Sequence, residues 1–174
     1  VVIMAIITNY LKSKNKLAKD TLVATVMSNL GMKKYCEKNN ISFKETSVGD
    51  RYVLEEMLKG GYNIGGEQSG HIILLDYNPT GDVILTSLML IKAMLESKKS
   101  ISELRKIITI YPQILVGAKV SNDKKYDFDK DEAIVEKIKE LEKEFEGNGR
   151  VLIRASGTEP LVRVMIEGSD QELL

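Results

Sequence analysis

Residues 21–26, TLVATV, constrain the fold more than any other stretch. The run is short, apolar and β-branched, with no polar alternation, and such a run reads as a buried strand. Residues 72–75, IILL, read the same way. A sheet buried on both faces needs helices above and below it, and the flanking sequence supplies them. Ile3, Ile6, Ile7, Tyr10 and Leu11 recur at helical spacing over residues 1–14. Ser28 is a candidate cap for a second helix reaching about Lys38. ISFKETS (41–47) alternates as a strand does, and RYVLEEMLKGG is a helix stopped at Gly60 and Gly61. NIGGEQSGHIILLDY reads as strand, glycine-rich turn, strand. Residues 83–96 form a strongly apolar helix behind Asp82, and Ser100 with Glu103 spells a capping box. Helix and strand alternating with short connections predict a three-layer α/β domain with a mostly parallel sheet over residues 1–108.

Pro112 marks a boundary. Beyond it come a strand, ILVGAKVS, and a polar stretch, SNDKKYDFDKDE. A helix striped by Ile134, Ile138, Leu141 and Phe145 follows, with Asp129 and Glu132 placed to cap its start. GNG ends that helix, and residues 150–155 and 161–167 read as strands. The order β-α-β-β predicts a small α+β domain with a helix packed on a sheet over residues 112–174.

Lysine plus arginine and aspartate plus glutamate number 25 each, so no net basic field draws nucleic acid. Tryptophan is absent and aromatics are few, which leaves no stacking platform for bases. One cysteine, Cys36, permits no intrachain disulfide, which suits the cytoplasm. With one cysteine and one histidine, His71, a zinc site of the usual kind is excluded. The opening apolar run is too short to span a bilayer and lacks the flanks of a signal peptide, so no membrane partner is expected. The chain begins with Val rather than Met, which we read as a cut from a longer protein.

Three loops can carry chemistry. RASGTEP sets Ser156, Gly157 and Thr158 between Arg154 on the entering strand and Arg163 on the leaving one. Two guanidinium groups, hydroxyls and a pliant backbone suit a dianionic phosphate. An ordinary β-turn uses the same serine, glycine and threonine, and only the arginines exceed its needs. GGEQSGH offers Glu67 as acceptor and Ser69 as donor and acceptor for vicinal hydroxyls, with His71 able to titrate near neutrality; a tight connection between strands is the plainer alternative. VGDRY places Gly49, Asp50 and Arg51 between a strand and a helix start, where anions bind, although Asp50 also serves as a simple helix cap.

GGEQSGH, the DYNPTGD stretch and the terminal RASGTEPLVRVM together resemble the α-D-phosphohexomutase superfamily. VATVMSNLG, VGDRYVLEEM and the Gln of GEQSGH are most similar to its bacterial members acting on glucosamine phosphates. The resemblance spans essentially the whole chain and matches the third and fourth of the family's four domains. It implies interconversion of hexosamine 6-phosphate and 1-phosphate through a phosphoserine and Mg2+. It implies that Glu67 and Ser69 bind sugar hydroxyls and that Gly49, Asp50 and Arg51 face the substrate. Arg154, Ser156, Gly157, Thr158 and Arg163 would hold the non-reacting phosphate, and His71 would assist proton transfer. The family's serine nucleophile motif and aspartate-rich Mg2+ loop are absent from this chain. The resemblance therefore makes the partners a hexosamine phosphate and the missing N-terminal domains, with the fragment inactive alone and its last helix cut short. Alternatives are a phosphomannomutase or phosphoglucomutase fragment, or a sugar-phosphate-binding module without catalysis.

Overall fold

The computed structural model describes residues 1–157, 159–172 and 174. The chain divides into two compact units, Val1–Ile110 and Tyr111–Leu174.

In the first unit the elements run α1 (Val2–Ser13), β1 (Thr21–Thr25), α2 (Leu30–Lys38), β2 (Ser42–Thr46), α3 (Asp50–Gly60), β3 (Ile64–Gly66), β4 (Ile72–Leu74), α4 (Val83–Ser97) and α5 (Ile101–Leu104). The sheet order is β2-β1-β3-β4. β1 pairs in parallel with both β2 and β3, and β4 closes the edge antiparallel to β3. Every residue of β1 is buried, as the lack of alternation in TLVATV requires. Leu22 and Ala24 pack with Met4, Ile7 and Leu11 of α1, Met32 and Cys36 of α2 and Met89 of α4. Val23, pointing the other way, packs with Val53 and Met57 of α3 and with Ile73. The sheet is thus the middle of three layers. Truncating one of these fully buried side chains, such as Met57 or Ile7, costs about 2–5 kcal/mol through lost transfer energy and the cavity left behind.

The helix starts hold two surprises. α2 is capped by Asn29, whose side chain accepts from Gly31 N, and not by Ser28. α3 has Gly49 at its N-cap, and Asp50 is its first helical residue, bonding to the adjacent Arg51 N. Asp82 does cap α4, accepting from Ile84 N and Leu85 N. The Ser100–Glu103 capping box opens α5.

In the second unit β5 (Gln113–Lys119), β6 (Gly149–Ala155) and β7 (Leu161–Gly168) build an antiparallel sheet of order β5-β7-β6, with α6 (Glu132–Glu144) between β5 and β6 in sequence. The cap of α6 is Asp131, which accepts from Ala133 N and Ile134 N; Asp129 lies two residues too early. Ile134, Ile138 and Leu141 of α6 face Val151, Ile153, Val164 and Ile166 across a cleft of about 370 Å³. The period-two pleat therefore turns Arg154, Arg163 and Met165 to the opposite face. On that side Glu167, fully buried, is held by Arg150 Nε at 2.7 Å.

Candidate functional site

β1, β2 and β3 run parallel, so their C-terminal ends share one edge of the sheet. α2 leaves β1 over one face and α3 leaves β2 over the other. The edge is therefore a topological switch point, where crevices form in open α/β sheets. The turn 67–71 emerges there from β3, and Gly49 emerges from β2.

Glu67 ties the two loops together. Its Oε1 accepts from Gly49 N at 2.8 Å, and its Oε2 accepts from Ser69 Oγ at 3.1 Å. Gly49 has φ +134°, a conformation that L side chains rarely adopt, and a Cβ there would stand 3.2 Å from the Tyr52 ring. The turn itself is closed by Glu67 N donating to His71 O at 2.9 Å. His71 Nδ1 lies 3.6 Å from Glu67 Oε2 and 3.5 Å from Ser69 Oγ, beyond good hydrogen-bond range. Glu67 is 13% exposed and His71 60% exposed. The result is a fixed carboxylate flanked by a hydroxyl and an exposed imidazole. Each oxygen of a carboxylate accepts twice, so Glu67 keeps lone pairs for an incoming hydroxyl.

Of the predicted site residues, the structure brings together Gly49, Glu67, Ser69 and His71. Asp50 is exposed beside them. Arg51 Nε donates to Glu55 Oε1 at 2.8 Å on its own helix.

In the second unit Arg154 and Arg163 are cross-strand partners on β6 and β7, so two like charges face one side of the sheet at its turn. Burial first, then the neighbouring Arg163, pushes the Arg154 guanidinium down from its ordinary value. Arg154 Nε is buried without a hydrogen-bond partner among the described residues. Arg163 Nη2 donates to Glu159 Oε2 at 2.8 Å. Ser156 is 2% exposed, and its polar groups fold the turn. Its N donates to Leu161 O, its Oγ accepts from Glu159 N, and its carbonyl accepts from Lys125 Nζ. Among the described residues the Ser156 hydroxyl proton has no acceptor. Gly157 opens onto space, with nothing within 4 Å of a Cβ placed there. Thr158 lies outside the described residues.

The sequence reading missed Lys125 and Glu159. Glu159 stands inside the quoted motif, four residues from Arg163, a spacing that could have paired them. Lys125 sits in a polar stretch far along the chain and carries no local signal.

Among the described residues no three His, Cys, Asp or Glu side chains gather where they could hold a metal ion. No helix among them is long and apolar enough to cross a membrane.

Residues 2–111 match the family model for phosphoglucomutase/phosphomannomutase alpha/beta/alpha domain III, and residues 115–174 match that for the C-terminal domain. The chain belongs to the phosphoglucomutase/phosphomannomutase family. A phosphoglucosamine mutase of Ruminiclostridium cellulolyticum is 57% identical over 99% of this chain, and that of Clostridium acetobutylicum 56% over 99%. In each case the chain spans 38% of the relative's length. Among solved structures, an N-acetylglucosamine-phosphate mutase in its product complex superposes with TM-score 0.81 at 21% identity, over 99% of this chain and 41% of that one. The N-acetylphosphoglucosamine mutase of Aspergillus fumigatus gives 0.73 at 21% identity, covering 99% and 39%. At such identity the family's structures speak for the fold alone.

Proposed function

We propose that this chain is the substrate-holding, C-terminal part of a phosphoglucosamine mutase, interconverting glucosamine 6-phosphate and glucosamine 1-phosphate. The observation that carries the reading is the Arg154–Arg163 pair. Leaving a buried donor unpaired costs about 1–3 kcal/mol, and setting like charges opposite each other adds to it. A phosphate dianion beside Gly157 offsets both, accepting from Arg154 and sharing Arg163 with Glu159. Relatives at 56–57% identity that bear the phosphoglucosamine mutase name support glucosamine over mannose or glucose phosphates.

In the proposed reaction a phosphoserine gives its phosphoryl group to the free hydroxyl of the sugar phosphate, forming a bisphosphate. The sugar reverses, and its other phosphoryl group returns to the serine. The serine and a Mg2+, which would neutralise charge on the transferring phosphoryl, belong to the portion of the relatives that this chain does not span. The residues here do the holding. Glu67 and Ser69 take vicinal sugar hydroxyls, with Gly49 fixing the Glu67 carboxylate and Asp50 beside it. Arg154, Gly157 and Arg163 hold the phosphate that is not reacting, and Thr158 and the Ser156 hydroxyl complete that set. His71, exposed beside Glu67 and Ser69, passes a proton to or from a sugar hydroxyl in this reading. Positioning and charge stabilisation dominate phosphoryl transfer, so such holding is a large part of the catalysis. The proposal includes a cytoplasmic setting, where a lone reduced thiol such as Cys36 is ordinary.

Titration of the chain with inorganic phosphate, followed by amide NMR, tests the reading. We expect shifts at Gly157 and Arg163, and further shifts at Glu67 and Ser69 only with glucosamine 6-phosphate. No movement at the 154–163 turn at millimolar phosphate would refute it. Assay of the parent enzyme on glucosamine, mannose and glucose phosphates separates the sugars, and a clear preference for mannose phosphate would overturn the choice.

A further inference from the structure

Lys125 is 9% exposed, while its neighbour Lys124 lies open to water. Burying a lysine orders a long side chain and strips water from an ammonium, so something must hold it there. Its Nζ donates to Ser156 O at 3.0 Å, across 31 residues of sequence, and stands 5.3 Å from the Tyr126 ring centroid. The carbonyl it grips belongs to the peptide that joins Ser156 to Gly157. Among the described residues no peptide is cis, and in a trans peptide the C=O and N–H point in opposite directions. Holding Ser156 O toward the Lys125 ammonium therefore aims the Gly157 N–H away from Lys125, at a residue where even a Cβ would meet nothing within 4 Å. Among the described residues that N–H has no hydrogen-bond acceptor.

We propose that Lys125 is a positioning residue for a phosphate monoester. It fixes the 156–157 peptide so that the Gly157 amide faces the anion, and it adds a positive charge behind the turn. This deepens the phosphate-holding role proposed above and rests on it. Lys125 touches no substrate itself. Its ammonium acts through the backbone, supplying one aligned donor in the turn that Arg154 and Arg163 flank.

The test compares the wild-type chain with Lys125→Met, which keeps the volume but loses donor and charge, and with Lys125→Arg, which restores both. Amide hydrogen exchange without ligand reads the turn directly. In Lys125→Met we expect exchange at Glu159 to speed by roughly ten- to a hundred-fold, the effect of losing one charge-assisted bond. Val164 and Met165, in the middle of β7, should stay unchanged. Inorganic phosphate should bind about ten-fold more weakly, with Lys125→Arg recovering most of both effects. Turn exchange equal to wild type in Lys125→Met overturns the proposal. So does equal acceleration at turn and strand, which marks a packing residue. Should Lys125→Met fail to fold, Lys125→Gln takes its place with the same readouts. Unaltered phosphate affinity over a loosened turn sinks the positioning role and leaves the phosphate reading intact. A loosened turn in a chain whose wild type ignores phosphate sinks the phosphate reading and leaves the clamp standing.

Discussion

Arg154 is held where its surroundings do not want a cation. Its Nε is buried and unpaired among the described residues, and its cross-strand neighbour carries the same charge. Function and stability should therefore part company at this position. Arg154→Met is expected to weaken phosphate binding by about 1.5–3 kcal/mol, roughly 10- to 150-fold in calorimetric titration. The ligand-free melting temperature should hold steady or rise; a marked fall would mean that Arg154 is structural. Glu67 behaves differently, because its carboxylate is already bonded to Gly49 N and Ser69 Oγ. Glu67→Gln keeps an acceptor for Gly49 but replaces an anionic oxygen with an amide donor. It should weaken glucosamine 6-phosphate binding while leaving inorganic phosphate affinity at the wild-type value, as paired titrations would show. Both residues were legible in the sequence, since a carboxylate between glycines and two arginines around a turn exceed what a turn needs. Lys125 was not legible. A lysine in SNDKKYDFDKDE is by default in water, and its contacts with Ser156 O and the Tyr126 ring, both set by the fold, withdraw it.

Helices and strands were readable from periodicity, their starts less so. Ser28 and Asn29 are both good caps, as are Asp129 and Asp131, and sequence alone cannot rank neighbours of like chemistry. Backbone geometry decides. Asn29 and Asp131 have the extended ψ of 138° and 110° that lets a side chain fold back on the helix start. Asp82 had no such rival, and its α4 cap is the best test of an element. Two backbone N–H groups bond its carboxylate, Leu85 first, which lowers its pKa from the ordinary aspartate value. A depressed folded pKa gives stability that is present above the unfolded pKa and lost as pH falls through the folded one. Asp82→Ala should thus lower the melting temperature at neutral pH. The gap should narrow below about pH 4 as the wild type protonates. A gap that stays constant down to pH 2 would show that the carboxylate's charge contributes nothing.

At the scale of the molecule, α4 presents apolar residues to two sides. Met89 and Ala93 are buried, yet Ile84, Leu88, Ile91 and Leu95, at helical spacing, are each at least half exposed. Helices apolar all round are ordinarily enclosed, and an exposed stripe of this kind invites association. The chain alone should bind a hydrophobic dye such as ANS. Replacing Leu88 and Leu95 together by lysine should remove most of that fluorescence while moving the melting temperature little, since neither side chain is in the core. Undiminished fluorescence would locate the exposed surface elsewhere. The strongly apolar character of residues 83–96 was plain in the sequence, but which side is covered depends on α1 and the sheet beneath, information that is not local. The bond from Glu67 to Gly49 has a different consequence, one for inheritance. If Glu67 takes sugar hydroxyls as proposed, a change of sugar preference should not transplant one loop at a time, because a foreign turn after β3 would meet a residue-49 amide held for the resident carboxylate. Recombination that separates these two segments should yield folded but indifferent proteins, and only paired exchanges should carry a new preference across.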